Sequence, residues 1–122
     1  MTSLRLRPLF TRRHANVVGA TLLIASGEIH GYLFFGEGYH AIPIIGPLFA
    51  VQAVTAIAFG LVLVGPALRV LRLAGAALAL SSAAGFVLSN AVSLFGFHDT
   101  LAAPGAVLAL IVEILAGALL IL

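Results

Sequence analysis

The chain has 122 residues, one domain by length, with 62% hydrophobic and 8% charged residues and a mean hydropathy of +1.23. A soluble domain carries about 25% charged residues, so this composition cannot clothe a water-facing surface, and the surroundings it fits are lipid. Net charge is only +2, and the absence of cysteine excludes disulfides, thiolate metal sites and thiol catalysis together.

All six basic residues are arginines. Arg5, Arg7, Arg12 and Arg13 precede the first apolar run, and Arg69 and Arg72 flank one turn. Positive-inside bias explains that spread, so no nucleic-acid partner is expected.

Residues 1–14 form a basic lead in which Pro8 discourages one continuous helix. The first apolar run, about 15–35, is long enough at about 1.5 Å per residue to cross a ~30 Å hydrocarbon core. A basic start before VVGATLLIASG has the outline of a signal peptide, but no A-x-A site follows and the run continues through Tyr32–Phe35. It is read as a first span. Gly36–Pro43 is a Gly- and Pro-punctuated connection. A second run, about 47–64, opens with Pro47 in its first turn and ends at Gly65-Pro66. A third run covers about 73–95, and Gly96–Thr100 connects it to a fourth at about 105–122, opened by Pro104-Gly105.

Helix is the only state for these runs, because unclosed strands would leave unpaired edges in lipid. The fold class expected is therefore all-α: four transmembrane helices in an up-down-up-down bundle. The arginines place the lead and the 65–72 turn on the cytoplasmic side, so both termini are cytoplasmic and the connections at 36–46 and 96–104 face outward. The location expected is a bacterial cytoplasmic membrane.

Apolar surface gains little from burial in lipid, so close backbone approach and polar contacts must hold the helices together. Small residues at four-residue spacing mark the expected faces. The third run has Ala77, Ser81, Gly85, Ser89 and Ser93, and the fourth has Gly105, Ala109, Glu113 and Gly117. The second has Gln52, Ala56 and Gly60, and the first has Ala15, Gly19, Gly27 and Gly31, interrupted by Leu23. One stripe can alternatively serve a homo-oligomer.

Depth separates the polar residues. Glu28 lies about 10 Å below the outer end of the first run, and Glu113 about 12 Å below that of the fourth. His30, Gln52, Ser89, Asn90 and Ser93 fall in the same outer half, whereas the cytoplasmic half is almost purely apolar. A charged acid at bilayer depth costs about 2.5–3.5 kcal/mol on insertion scales. Glu28 or Glu113, or both, should therefore be protonated or bonded to His30, Gln52 or Asn90. The pocket expected comprises Glu28, His30, Tyr32, Gln52, Ser89, Asn90 and Glu113. Glu28 and His30 stand about 200° apart around a helix, so Glu28 shares a face with Tyr32, and His30 with Ser26 and Phe34.

A metal would have to draw on several elements, with His30, His40, His98 and Asp99 as candidate ligands suited to zinc, iron or copper(II). No H-E-x-x-H spacing is present, and His30 is the only histidine near membrane depth, which disfavours bis-histidine haem. No cofactor is therefore predicted. His14 reads as part of the basic flank, and the aromatics around 32–39 and 95–97 as an interfacial belt. Ile42–Pro47 reads as an interfacial segment dipping back over the bundle. The serines of the third run have no nearby base, so nucleophilic catalysis is unsupported.

Two resemblances add to this reading. Glu28 is similar in kind to the first-helix glutamate with which small multidrug resistance exporters exchange protons for cationic drugs. Val92–Leu122 loosely resembles their last hairpin. The chain departs from them in having no Trp and in placing its glutamate further along. The stretch Gly27–Gln52, with LFGFH at 94–98 and the acid in the fourth run, is similar to a group of uncharacterised small bacterial membrane proteins, which implies no activity.

The function expected is that of a non-enzymatic accessory or oligomeric membrane component. Its outer-leaflet pocket would bind a partner helix, a lipid headgroup or a small ligand. The alternatives are a proton-coupled carrier using a membrane-embedded Glu, and a His/carboxylate protein binding metal or haem.

Overall fold

The computed structural model describes residues 11–93, 95–99, 103 and 105–122. Arg5, Arg7 and Pro8 of the lead, and Pro104 at the expected opening of the fourth run, lie outside the described residues. Among those described there are four α-helices and no strand: α1 (Arg12–Gly36), α2 (Ile45–Leu63), α3 (Arg69–Ala91) and α4 (Ala106–Ile121). A single 3₁₀ turn, Tyr39–Ala41, lies between α1 and α2. Helices α1, α2 and α3 are each long and apolar enough to cross a membrane. α4 is apolar but has 16 residues. At 1.5 Å per residue it is about 24 Å long, short of a ~30 Å core.

Local chemistry explains the helix ends. Thr11 caps α1: its hydroxyl accepts from the His14 backbone N–H (3.3 Å), while His14 Nδ1 accepts from the Thr11 N–H (3.2 Å). His14 thus closes a capping box in the position usually held by Glu or Gln. α3 begins at Arg69 rather than near Leu73, because Leu68 is extended and serves as its N-cap. Arg69 and Arg72 consequently stand in a first helical turn and not in a loop. α3 also ends at Ala91 rather than Phe95: Val92 is extended, and the chain folds back so that the Asp99 N–H donates to Ser89 C=O at 3.1 Å.

The entry to α2 is tighter. Ile44 has φ 67° and ψ −51°, and the Ile45 N–H donates to Pro43 C=O at 2.7 Å. This is the γ-turn with positive φ, a strained conformation for a β-branched residue. It brings the start of α2 so close to the 3₁₀ turn that a Cβ on Gly46 would sit 2.8 Å from the carbonyl oxygens of Tyr39 and His40.

α1 packs along α2 and α4, and α3 packs along α4, whereas α2 and α3 meet only sparsely. The α1–α2 contact rests on two glycines. A Cβ on Gly27 would meet the Ala53 carbonyl oxygen, and one on Gly60 the Ala20 carbonyl oxygen, each at 2.9 Å. Asn16 near the start of α1 donates to Leu63 C=O at the end of α2 (2.6 Å), which satisfies one of the carbonyls a helix end leaves unpaired.

The buried core is apolar and small-residue-rich, built from Ala20, Leu23, Ala56, Leu63, Ala76, Ala79, Ala116 and Leu120. Around it, Phe35, Val54 and Leu68 are among many large apolar side chains facing outward. Gln52, Ala56 and Gly60 are buried on α2, and Glu113 and Gly117 on α4, with Ala109 half-buried. On α1, Ala15, Gly19, Leu23 and Gly27 are buried and Gly31 is half-buried, while Gly105 is exposed at the entry to α4. α3 differs from the expected stripe. It buries Gly75, Ala76, Ala79, Ala83 and, from the stripe, Ser89, with Gly85 half-buried, whereas Ala77, Ser81 and Ser93 are exposed. α3 packs mainly along α4, with Leu80 filling the space beside Gly117 and Leu120 that beside Gly75.

A polar cavity between the helices

The sparse α2–α3 contact leaves a cavity of about 300 Å³ on the side of the bundle away from Arg12 and Arg72. Leu48, Val51 and Thr55 of α2 line it opposite Leu78, Ser82 and Phe86 of α3. Its polar groups come from all four helices: His30, Gln52 and Thr55, Ser82 and Ser89, and Glu113. Glu113 is only 2% exposed, although the residues around it on α4 are apolar. Ser26 makes that burial tolerable, because its hydroxyl donates to Glu113 Oε1 at 2.9 Å.

The Ser26 backbone holds His30 as well. His30 Nδ1 lies 2.8 Å from Ser26 C=O. A carbonyl can only accept, so Nδ1 carries a hydrogen and Nε2 is the lone-pair side of the neutral ring. His30 Nε2 faces Glu113 Oε1 at 3.7 Å, too far for a hydrogen bond but within ion-pair range if the ring is protonated.

Gln52 completes the layer. It is 9% exposed and lines the cavity, and its Nε2 has no acceptor among the described residues. Aromatic rings roof the site: His30 packs on Phe49 (4.9 Å between ring centres), Phe49 on Tyr39 (4.8 Å) and Tyr39 on Phe97 (5.7 Å). Asp99, buried where the chain folds back over α3, also lines the cavity. Outside the spans, the Tyr39 phenol is held above its ordinary value by burial first, then by the negative charges of Asp99 and Glu37.

The structure brings together His30, Gln52, Ser89 and Glu113 from the pocket read in the sequence. Glu28 is exposed on α1 and outside the cavity. Tyr32 is exposed too, donating to Glu37 Oε1 at 2.7 Å, and Asn90 donates locally to Phe86 C=O at 3.3 Å. Helical rotation explains the first two, since the α1 face opposite Ser26 and His30, with Val18 and Thr21, is exposed. Ser26, Tyr39, Phe49 and Phe97 are the site residues that sequence reasoning missed. Ser26 carried a signal in its four-residue spacing to His30, but Phe97 reaches the site only through the fold-back after α3.

The proposed metal ligands do not gather. His40 Nδ1 bonds Phe34 C=O at 2.8 Å, His98 is exposed, and only His30 and Asp99 reach the cavity. Among the described residues no group of three or more His, Asp or Glu side chains is placed to hold one metal ion. No protein-family model, no curated protein and no solved structure matches this chain. The resemblances drawn above therefore rest on their quoted residues alone.

Proposed function

We propose that the chain is a non-enzymatic integral protein of a bacterial cytoplasmic membrane whose outer-half cavity binds a small, largely apolar ligand bearing an oxygen acceptor. In this reading all four helices cross, alternating in direction, with both termini cytoplasmic and the cavity opening toward the outer leaflet. The observation that carries it is Gln52 Nε2, a buried amide donor with no acceptor among the described residues, in a cavity walled by apolar and aromatic side chains. A bare amide donor in an apolar setting costs about 1–3 kcal/mol, and a ligand oxygen would remove that cost. The gap between α2 and α3 supplies a route from the lipid.

The test is mass spectrometry of organic molecules retained by protein purified in mild detergent. The wild-type chain should retain a ligand that Gln52→Leu loses. Gly85→Leu should lose it too, because Gly85 lines the cavity and a Cβ there meets nothing within 4 Å. Equal retention by all three proteins overturns the reading. Absorbance and elemental analysis of the same sample address metal and haem, and a stoichiometric metal or a Soret band would replace this function with a redox one.

A second reading, a proton-coupled carrier, draws on the His30–Glu113 pair. The proton-linked acid in that case is Glu113, since Glu28 is outside the cavity. Transport abolished by Glu113→Gln in proteoliposomes and retained by Glu28→Gln would favour it. The exposed Ala77 of α3 offers a place on which a second copy or a partner helix can pack, and the mass in detergent tests that.

A further inference from the structure

The opposite end of the bundle holds a second pocket, of about 350 Å³, lined by Arg12, Arg13, Asn16 and Arg72 together with the turn at 64–67. Folding assembles it, since Arg72 comes from the first turn of α3 and the other two arginines from the first turn of α1. No acid lines it: Glu28, Glu37, Asp99 and Glu113 are the only acids in the chain, and all lie elsewhere. Arg72 Nη1 donates to Leu122 C=O at 2.9 Å, while Arg12 and Arg13 have no hydrogen-bond or ion-pair partner among the described residues.

These charges are badly placed for the isolated chain. The N-terminal turn of a helix carries the positive end of its dipole and favours anions, yet the first turns of α1 and α3 contain arginines and no acid. Both helix starts and the guanidiniums of Arg12 and Arg13 therefore converge with no acidic side chain beside them, while Arg72 already has the Leu122 oxygen. A bound anion would satisfy all of them at once. The neighbouring Asn16 provides an independent observation. It is 8% exposed, its Nδ2 is used by Leu63 C=O, and its Oδ1 has no donor among the described residues. A purely acceptor anion leaves that oxygen unpaired, whereas a hydroxyl on the same ligand can donate to it.

We propose that this pocket binds a phosphate ester whose alcohol part carries a hydroxyl, as in the glycerophosphate headgroup of an anionic phospholipid or the same group on a soluble molecule. Arginine suits the phosphate because its planar fork donates in pairs to two oxygens. Basic pockets between membrane helices commonly hold such headgroups.

The experiment is native mass spectrometry of the full chain in a non-ionic detergent, titrated with dioleoyl phosphatidylglycerol. Dioleoyl phosphatidylcholine is the control, and sn-glycerol 3-phosphate is the soluble arm. One phosphatidylglycerol should bind about tenfold more tightly than phosphatidylcholine, because both carry the phosphate but only phosphatidylglycerol is net anionic and brings a hydroxyl for Asn16. The double variant Arg12→Gln/Arg13→Gln, which breaks no side-chain hydrogen bond among the described residues, should erase that preference, and Arg72→Gln should weaken it. Arg69→Gln lies outside the pocket and should leave it unchanged. Competition by sn-glycerol 3-phosphate identifies a soluble ligand, and its failure to compete identifies the lipid. Equal binding of the two lipids with no glycerol phosphate bound overturns the proposal. So does a loss in Arg69→Gln as large as in the double variant, which would mean general surface charge.

Discussion

The closeness of α1 and α2 can be measured by comparing Gly27→Ala with Gly85→Ala. An alanine Cβ at position 27 would lie 2.9 Å from the Ala53 carbonyl oxygen and 2.7 Å from Ile57 Cγ1. The first of these is backbone and cannot turn aside, so the helices must part. Forcing a carbon into a filled contact costs about 1–3 kcal/mol. At position 85 the same Cβ meets nothing within 4 Å. Both variants gain the helix propensity of alanine over glycine, about 1 kcal/mol, and that shared gain cancels in the comparison. Gly27→Ala should therefore be less stable than Gly85→Ala by about 1–3 kcal/mol. Titration of each purified variant from mild detergent into SDS, followed by near-ultraviolet circular dichroism, reads the difference. If Gly27→Ala proves as stable as Gly85→Ala, the helices are not in backbone contact at Gly27, and the placement of Ser26 and His30 fails with it.

Three further outcomes are expected. Ser26→Ala removes the hydroxyl donor to Glu113 and should cost about 0.6 kcal/mol, the average for side-chain hydrogen bonds between membrane helices, and at most about 1.7 kcal/mol. It should also shift the infrared carboxyl band that disappears in Glu113→Gln, and an unmoved band would refute the contact. Asn16→Ala leaves Leu63 C=O without its donor and should lower stability by about 1 kcal/mol in the same SDS titration, whereas an unchanged midpoint would count against that bond. In a Tyr32→Phe background, ultraviolet titration should find Tyr39 ionising above free tyrosine, and Asp99→Asn should move it down. The folded state favours the protonated phenol, so its contribution to stability is complete below about pH 10 and lost as pH rises through the folded pKa. Ionisation at the value of free tyrosine would refute the burial of Tyr39.

Helical state and the approximate extents of the helices were legible in the sequence, because long apolar runs in lipid have no other way to satisfy their backbones. So was the confinement of Gln52, His30 and Glu113 to one half of the bundle, since depth along a helix follows residue number at about 1.5 Å per step. Rotation about the axis does not follow in that way. Where most positions are Ala, Leu or Val, many faces look equally fit to pack, and α3 turned Ala79 inward and left Ala77 outside. The same freedom left Glu28 outside the cavity while Glu113 found Ser26. Tertiary structure alone decided that Glu113 and not Glu28 is buried, that α2 and α3 stay apart to form a cavity, and that Arg72 joins Arg12 and Arg13. Each outcome depends on contacts between residues distant in sequence, and local propensity and hydropathy carry no record of them.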